Sequence, residues 1–245
     1  MTCHRSCCLT GFLFSLCLLL GCEQSPEVSR YPKIDEQVPQ YIIGFGNLMY
    51  SYSRDRILSK SKFILPVLVY GYQRSWVARS RPDGVSMTRL GVVPTKEKFF
   101  NGLLVALPVS SLKKLDLSSQ SEVSRVLVDR GSLKSLLIGQ KIPETGQFWM
   151  YQVRETYRKP PARGYPIMQS RVDEFLSGCL DVSDRFKLTD FKYQCLQTTN
   201  NWSEHWGNDR RRPLKEPVYR DIYYKKVDDL LERLGNNFYE KVRED

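Results

Sequence analysis

Residues that ligate metals or form nucleophile–base pairs are scarce in this chain. Its 245 residues include two histidines and seven cysteines, and five of these nine lie before residue 22, in a stretch with the features of a secretion signal. Cys22, Cys179, Cys195 and His205 remain beyond it. A structural zinc site needs four such ligands at short spacings. The sequence therefore predicts no metal site, and a single histidine indicates a structural role.

Other absences narrow the function classes further. The sequence has no Gly-x-Gly-x-x-Gly or Walker pattern, no internal repeat and no low-complexity segment, which argues against dinucleotide-binding, P-loop and repeat architectures. Its 41% hydrophobic and 26% charged residues are ordinary for a soluble globular chain. Fourteen tyrosines and eleven phenylalanines suit β-structure and concave pockets.

The longest apolar run in the sequence lies between Leu9 and Leu20, after Arg5, and leads into LLGC at 19–22. It is shorter than the roughly 20 residues of a transmembrane helix, and its layout is typical of a secretion signal. LLGC resembles the bacterial lipobox, which implies cleavage before Cys22 and a lipid on its thiol. We expect a lipoprotein signal peptide at 1–21 and a proline-containing tether at 22–40. An uncleaved anchor with an incidental cysteine is the alternative.

This assignment predicts a location and a redox environment. A lipid at Cys22 would hold the protein on a membrane of the bacterial cell envelope, facing the periplasm or the cell exterior. In that oxidising compartment Cys179 and Cys195 either form a disulfide or remain as two buried thiols. Both alternatives stay open from the sequence.

Net charge is +10 for the whole chain, and its sharpest basic cluster is NDRRRPLK at residues 208–215. Clusters of this kind often bind nucleic acid, but an exported lipoprotein meets anionic lipid headgroups instead. We therefore expect no nucleic-acid partner. Two interpretations of the cluster stay open: a basic surface lying against the membrane, and a solvated loop that binds nothing.

Hydrophobic periodicity divides the chain into a strand-rich part and a helical part, which predicts an α+β fold. Strands are predicted at 41–46, 63–77, 87–93, 101–107, 123–129 and 147–153, and short helices at 52–60 and 109–116. After Pro166 two apolar stripes at helical spacing predict core-facing helices. The stripes are Met168, Val172, Phe175, Leu176 and Cys179, and Tyr223, Val227, Leu230, Leu231 and Leu234.

The first predicted strand is followed by a glycine-broken loop and a short helix. Its sequence, YIIGFGNLMYSYSR at 41–54, resembles the start of the γ-glutamylcyclotransferase-like fold. The family's tyrosine-glycine-serine triplet and following apolar residue correspond here to Phe45, Gly46, Asn47 and Leu48. Glycine lets the main chain come close to a ligand, so that backbone N–H groups can converge on a carboxylate. The resemblance makes these four residues the expected substrate-binding loop.

Later segments carry the same resemblance in the same order along the chain. YGYQRSWVAR at 70–79, TRLGVVP at 88–94 and NGLLVALP at 101–108 are similar to bacterial members. The segments at 165–181 and 198–213 resemble the C-terminal extension of one subgroup. The resemblance implies a small mixed β-barrel or curved sheet with packed helices, comprising a domain at 41–160 and a helical extension at 161–245 packed on it.

A specific reaction is implied by this resemblance. The α-amino group of a small γ-glutamyl amine or peptide attacks its own γ-carbonyl, releasing 5-oxoproline and an amine. No cofactor is implied. A site that holds the glutamyl group folded gains from the intramolecular geometry, and a glutamate in the family takes the proton from the ammonium.

The sequence departs from the family at that glutamate. The family's glutamate follows a Leu-Asp pair closely, and its place in LDLSSQSEVSR (115–125) falls on Ser119 or Gln120. Neither side chain can accept the proton. Glu122 in the same segment and Glu155 in YQVRETYR are the two candidate bases.

Without a working base the chain would have a different role. One alternative is a non-catalytic ligand-binding lipoprotein on the same fold. Another is a module that lies on the membrane surface or binds a protein partner, in which the fold is only a scaffold.

The lipobox assignment predicts the outcome of one substitution. Cys22→Ala removes the thiol that would carry the lipid, so the precursor should no longer be cleaved before residue 22 and the lipid signal should disappear. Mass spectrometry of the N-terminal peptide and labelling with a fatty-acid analogue measure both effects. A variant processed to the wild-type size that still sediments with membranes would contradict the assignment.

Overall fold

The structure, a computed structural model, describes residues 31–58, 61, 63–119, 121–210 and 223–234. Cys22, Gln120 and residues 211–215 of the basic cluster lie outside the described residues, so the expectations placed on them stay predictions. Within the described ranges, no helix is both long and apolar enough to cross a bilayer.

A mixed sheet of seven strands forms the centre of the fold. The chain's strands are β1 (Gln40–Gly44), β2 (Ile64–Ser80), β3 (Met87–Leu107), β4 (Val123–Leu127), β5 (Leu133–Ser135), β6 (Gln147–Val153), β7 (Ile167–Met168), β8 (Thr199–Asn200) and β9 (Trp206–Gly207). The sheet has the order β4-β6-β1-β3-β2-β5, with β8 pairing β2, while β7 and β9 form a separate pair. Among the described strands β4 and β5 lie at opposite ends, so this sheet is open and not a closed barrel.

Five helices complete the described part of an α+β fold, and this fold class is confirmed. They are α1 (Ser51–Leu58), α2 (Val109–Ser118), α3 (Gln169–Phe186), α4 (Phe191–Gln197) and α5 (Tyr224–Glu232). The predicted stripe after Pro166 forms the buried face of α3, except that Met168 ends the short strand β7. Val172, Phe175 and Leu176 pack in one core cluster with Leu230 and Leu231 of α5.

The strands β2 and β3 form a long bent hairpin. The sequence indicated two strands at 87–93 and 101–107, but β3 runs unbroken through both. Pairing shifts between Tyr70, opposite Phe99, and Tyr72, opposite Pro94, and Gly71 at the shift has a φ of 81°. The polar residues 95–98 therefore belong to a bulge that bends the hairpin and not to a turn.

Both faces of the sheet are covered, as β1 shows. Ile42 packs in the cluster shared with α3 and α5, while Tyr41 and Ile43 pack in a second cluster on the other face with Phe100 and Phe148. Successive strand residues point to opposite faces. This burial on both sides explains why β1 is apolar without alternation.

Residues 31–40 and the C-terminal helices are both attached to this centre. Ile34 packs against the core, and the carbonyl of Pro32 accepts a hydrogen bond from Arg125 Nη2 at 3.1 Å. Of the two alternatives for the cysteines, the structure has the disulfide: Cys179 of α3 is bonded to Cys195 of α4, 16 residues apart in sequence. A loop of this size is worth about 3 kcal/mol in the chain-entropy account.

A fully buried arginine connects the hairpin to the C-terminal segment. Arg74 of β2 is 0% exposed, and its guanidinium makes five hydrogen bonds of 2.6–3.1 Å, to Asn101 O and Oδ1, Cys195 O, Thr198 Oγ1 and Thr199 Oγ1. Burial lowers its pKa to about 9, so the side chain is still charged at neutral pH. These acceptors offset the cost of removing the cation from water.

Arg74→Lys should therefore destabilise the fold although it keeps the charge. Lysine has three donors at a single point and cannot reach acceptors spread over β3, α4 and β8. We expect a loss of at least about 2 kcal/mol in the free energy of unfolding, because buried acceptors are left unpaired.

Urea denaturation measures this loss. Arg81→Lys is the matched control, because Arg81 is exposed and its replacement should change stability by less than about 0.5 kcal/mol. Equal stabilities for the two variants would show that the Arg74 hydrogen bonds contribute little.

Candidate functional site

A cavity of about 780 Å³ lies where β1 ends, between the glycine loop, α1, α3 and the segment that joins α2 to β4. The loop residues Phe45, Gly46, Asn47 and Leu48 line it on one side. Its polar and charged lining side chains are Tyr52, Ser53, Arg56, Ser80, Arg89, Ser118, Ser119, Glu122, Tyr151, Arg171 and Glu174. Small-molecule sites in proteins typically occupy about 300–1,000 Å³.

The glycine loop has its shape because two glycines allow close packing. A Cβ at Gly44 would lie 2.7 Å from Leu48 Cβ, and one at Gly178 of α3 would lie 2.9 Å from the backbone N of Tyr50. The chain after Gly46 turns into a single 3₁₀ turn, Asn47–Met49, in which Met49 N donates to Gly46 O at 2.9 Å. At Gly46 itself the nearest atom to an added Cβ is Leu90 Cδ2 at 3.8 Å.

Arg54 of α1 holds the far side of this loop. Its side chain is 2% exposed, and its Nη1 donates to Met49 O at 3.1 Å and to Leu48 O at 3.4 Å. Burial lowers the pKa of Arg54. The loop is therefore fixed by α1 and by α3 while its Gly46 side faces the cavity.

The two candidate bases are in different surroundings. Glu122 is 8% exposed and lines the same cavity as the loop, immediately before β4. Glu155 is exposed, because β6 ends at Val153 and the chain turns outward in the 3₁₀ turn Glu155–Tyr157. Of the two, the structure brings only Glu122 together with the loop. The catalytic roles given to both from the sequence stay predictions.

Ser119, one of the two positions at which the resemblance expects a glutamate, belongs to a hydrogen-bond network. Ser119 lines the cavity, and its hydroxyl contacts Asp116 O at 2.9 Å and Tyr31 Oη at 2.5 Å. The Asp116 carboxylate accepts hydrogen bonds from Tyr151 Oη at 2.6 Å and Arg125 Nε at 2.9 Å. The Asp116 carboxylate therefore fixes the position of Tyr151, which lines the cavity.

Three charged residues at the α3 side of the cavity were not predicted from the sequence. They are Arg89 of β3, and Arg171 and Glu174 of α3. Arg171 Nη1 lies 3.3 Å from Glu174 Oε2, and Ser53 Oγ donates to Glu174 Oε1 at 3.3 Å. Burial lowers the pKa of Arg89, as does the nearby Arg171, while Glu122 and Glu174 act in the opposite direction. Nothing in the sequence directed residues 171 and 174 to the loop.

The cavity has the donors and acceptors for a small zwitterion. Arg89 and Arg171 supply cationic donors, and Glu122 and Glu174 supply anionic acceptors. Across the described ranges, no three histidine, cysteine or carboxylate side chains are grouped so that they could hold a metal ion.

No family model and no curated protein matches this sequence. Its structural neighbours are γ-glutamyl cyclotransferases and proteins like them. One γ-glutamyl cyclotransferase has a TM-score of 0.49 and 9% identity, covering 80% of this chain and 99% of its own. An uncharacterised human protein has a TM-score of 0.49 and 10% identity, covering 81% and 99%. A glutathione-specific γ-glutamyl cyclotransferase from yeast has a TM-score of 0.41 and 10% identity, covering 80% and 97%.

The two loop glycines predict different responses to substitution. Gly44→Ala brings Cβ into Leu48 and should distort the loop, so it should lower Tm by several degrees. Gly46→Ala has room for its methyl group beside Leu90 and should lower Tm by less than half as much. A larger Tm loss for Gly46→Ala than for Gly44→Ala would contradict this description of the loop.

Proposed function

We propose that the cavity binds a small γ-glutamyl amine or peptide and cyclises its glutamyl group to 5-oxoproline, releasing an amine. The observation that carries the proposal is the shared lining: the glycine loop and the buried Glu122 face one cavity. The sequence resemblance to γ-glutamylcyclotransferase-like proteins assigns ligand binding to the same loop. No cofactor takes part in the proposed reaction.

The proposed reaction balances within the ligand and one carboxylate. The α-amino nitrogen forms a bond to the γ-carbonyl carbon, and the bond from that carbon to the leaving nitrogen breaks. Glu122 takes one proton from the α-ammonium before the attack and passes it to the leaving nitrogen. After the bond has formed, it takes a second proton from the attacking nitrogen, so that the lactam keeps one N–H and the released amine carries both protons as an ammonium. The cavity contributes by holding the flexible glutamyl chain folded, which makes the attack intramolecular.

The anchor belongs to the same proposal. LLGC at 19–22 and the net charge of +10 support a protein held in the cell envelope by a lipid on Cys22, with a basic surface towards the membrane. Its ligand would then be a γ-glutamyl compound of the envelope or the surroundings.

A second function is favoured by one observation. Ser119 is one of the two positions, with Gln120, on which the resemblance places the family's base, and the Ser119 hydroxyl already contacts Asp116 O and Tyr31 Oη. A chain that retains the cavity but lacks an efficient base would bind γ-glutamyl ligands without converting them. This non-catalytic binder is the alternative to the enzyme.

The base assignment is tested by two glutamate variants. Glu122→Gln should lower the rate of 5-oxoproline release from γ-glutamyl-alanine by about 10²–10⁴-fold, since that is the usual contribution of a positioned base. Glu155→Gln is the matched control and should leave the rate unchanged, because Glu155 is exposed outside the cavity. The assay quantifies 5-oxoproline over a panel of γ-glutamyl amines and peptides.

The outcomes separate the candidates. Turnover that survives Glu122→Gln but not Glu155→Gln would show that the base is wrongly assigned. No turnover in the wild type, with a rise in Tm on adding γ-glutamyl-alanine, would favour the binder, since ligands that bind the native state stabilise it. Neither turnover nor a Tm rise would exclude both functions for this panel.

A further inference from the structure

Hydroxyl groups line one wall of the cavity, and each of their protons is already donated into the protein. Ser118 Oγ donates to Leu115 O at 3.1 Å, and Tyr151 Oη donates to Asp116 Oδ1 at 2.6 Å. Carbonyl and carboxylate oxygens only accept hydrogen bonds, so the hydroxyls must be the donors. These two hydroxyl groups can therefore only accept hydrogen bonds from a ligand, through the lone pairs of their oxygen atoms.

The hydroxyl proton of Ser119 is also donated within the protein, in a network that includes Tyr31 of the N-terminal segment. Tyr31 Oη lies 2.5 Å from Ser119 Oγ and 3.2 Å from Asp116 O, and Ser119 Oγ lies 2.9 Å from Asp116 O. If Ser119 donates to the carbonyl, Tyr31 donates to Ser119. If Ser119 donates to Tyr31, Tyr31 donates to the carbonyl. In both arrangements the Ser119 proton stays within the network, and at least one lone pair of its oxygen remains for the cavity.

Tyr151 is held as a neutral phenol with a fixed direction. Burial raises its pKa, and so does the hydrogen bond to Asp116. Arg125 Nε contacts both Asp116 carboxylate oxygens, at 2.9 and 3.2 Å. Arg125 thereby orients the carboxylate that takes the Tyr151 proton, and the phenol oxygen is left as an acceptor on the cavity wall.

These groups are close to Glu122 in sequence or through the pairing of β4 with β6. Ser119 precedes Glu122 by three residues, and Tyr151 of β6 pairs with Arg125 of the neighbouring strand β4. Arg89 and Arg171 are supplied by β3 and α3. The cavity therefore combines an acceptor wall with cationic donors from other elements.

We propose that Ser119 and Tyr151 form a hydrogen-bond acceptor subsite for a primary ammonium group of the ligand, with Tyr31 as the positioning residue that commits the Ser119 proton. This assignment rests on the proposed function, in which the group is the α-ammonium of the γ-glutamyl ligand. An ammonium brings three donors and no acceptor, which is the complement of this wall. Binding here would place the ammonium beside Glu122, which is to take its proton.

A pair of ligands that differ only in the ammonium tests the subsite. γ-Glutamyl-alanine carries it, and glutaryl-alanine has a hydrogen atom in its place but keeps both carboxylates. Calorimetry at low temperature, where turnover is slow, gives Kd for each. Wild type should bind γ-glutamyl-alanine at least about 10-fold more tightly, because hydrogen bonds to charged groups are among the stronger ones.

Variants then identify the residues that cause the preference for the ligand with the ammonium group. Ser119→Ala and Tyr151→Phe each remove one acceptor oxygen and should weaken γ-glutamyl-alanine by about 10-fold, while changing the Kd of glutaryl-alanine by less than about 2-fold. A merely structural role would weaken both ligands alike. Matched controls are Ser110→Ala, on the exposed side of α2, and Tyr70→Phe, on an exposed part of β2; both should keep the wild-type preference.

The outcomes distinguish this inference from the function on which it rests. Equal Kd values for the two ligands in the wild type overturn the subsite and leave the proposed function standing, and this comparison needs no variant to fold. Equal weakening of both ligands by Ser119→Ala or Tyr151→Phe also overturns it. Failure of both ligands to bind overturns the subsite and the proposed function together.

Discussion

The Arg74 guanidinium is the contact on which the arrangement of the cavity depends. It lies on the long hairpin, and its partners belong to β3, to the end of α4 and to the β8 edge. Phe175 of α3 packs against it, with the guanidinium carbon 4.8 Å from the ring centroid. A buried cation is stable only where acceptors surround it, so the C-terminal segment must lie against the hairpin for Arg74 to be satisfied. Sheet and extension thus share one core.

The position of α3 then determines the position of the glycine loop. The disulfide to Cys195 fixes α3 near its middle, one residue after Gly178, where the helix has no side chain and approaches Tyr50. The same helix carries Arg171 and Glu174 into the cavity one to two turns earlier. A single element therefore supports the loop from behind and supplies charges in front of it. This double use explains why α3 is needed for the shape of the cavity.

How much of this could be predicted depended on whether the determining contacts were local. The strand, loop and helix at 40–58 follow from adjacent residues, because apolar periodicity and two glycines specify them. The unbroken β3 did not follow, since residues 95–98 look like a turn until the bulge opposite Gly71 is known. Arg89, Arg171 and Glu174 meet through the packing of α3 across the sheet end. Pairing of Cys179 with Cys195 was one of two open alternatives because spacing alone does not bring two thiols together.

The two glutamates show the same limit at the level of one side chain. Glu122 and Glu155 each have an arginine nearby in sequence, so local chemistry could not separate them. The two glutamates differ in the structural element that follows each of them in the chain. β4 begins directly after Glu122 and holds it against the cavity, while the chain beyond β6 turns outward at Glu155.

The resemblance places the family's carboxylate at residue 119 or 120, whereas the base that we propose is Glu122, and this difference has a chemical consequence. One glutamate at the family's position would both hold the ammonium and take its proton. Here one of the two matching positions is Ser119, whose proton is held within the network of Tyr31 and Asp116, and the proposed base Glu122 lies immediately before β4. In our proposal, holding the ammonium and removing its proton are divided between two groups. A hydroxyl oxygen stabilises an ammonium without lowering its charge, whereas the carboxylate must be close enough to remove a proton. In this arrangement binding tolerates small shifts of β4 and proton transfer does not, because a hydrogen bond to a cation weakens gradually with distance while general-base catalysis requires hydrogen-bond reach.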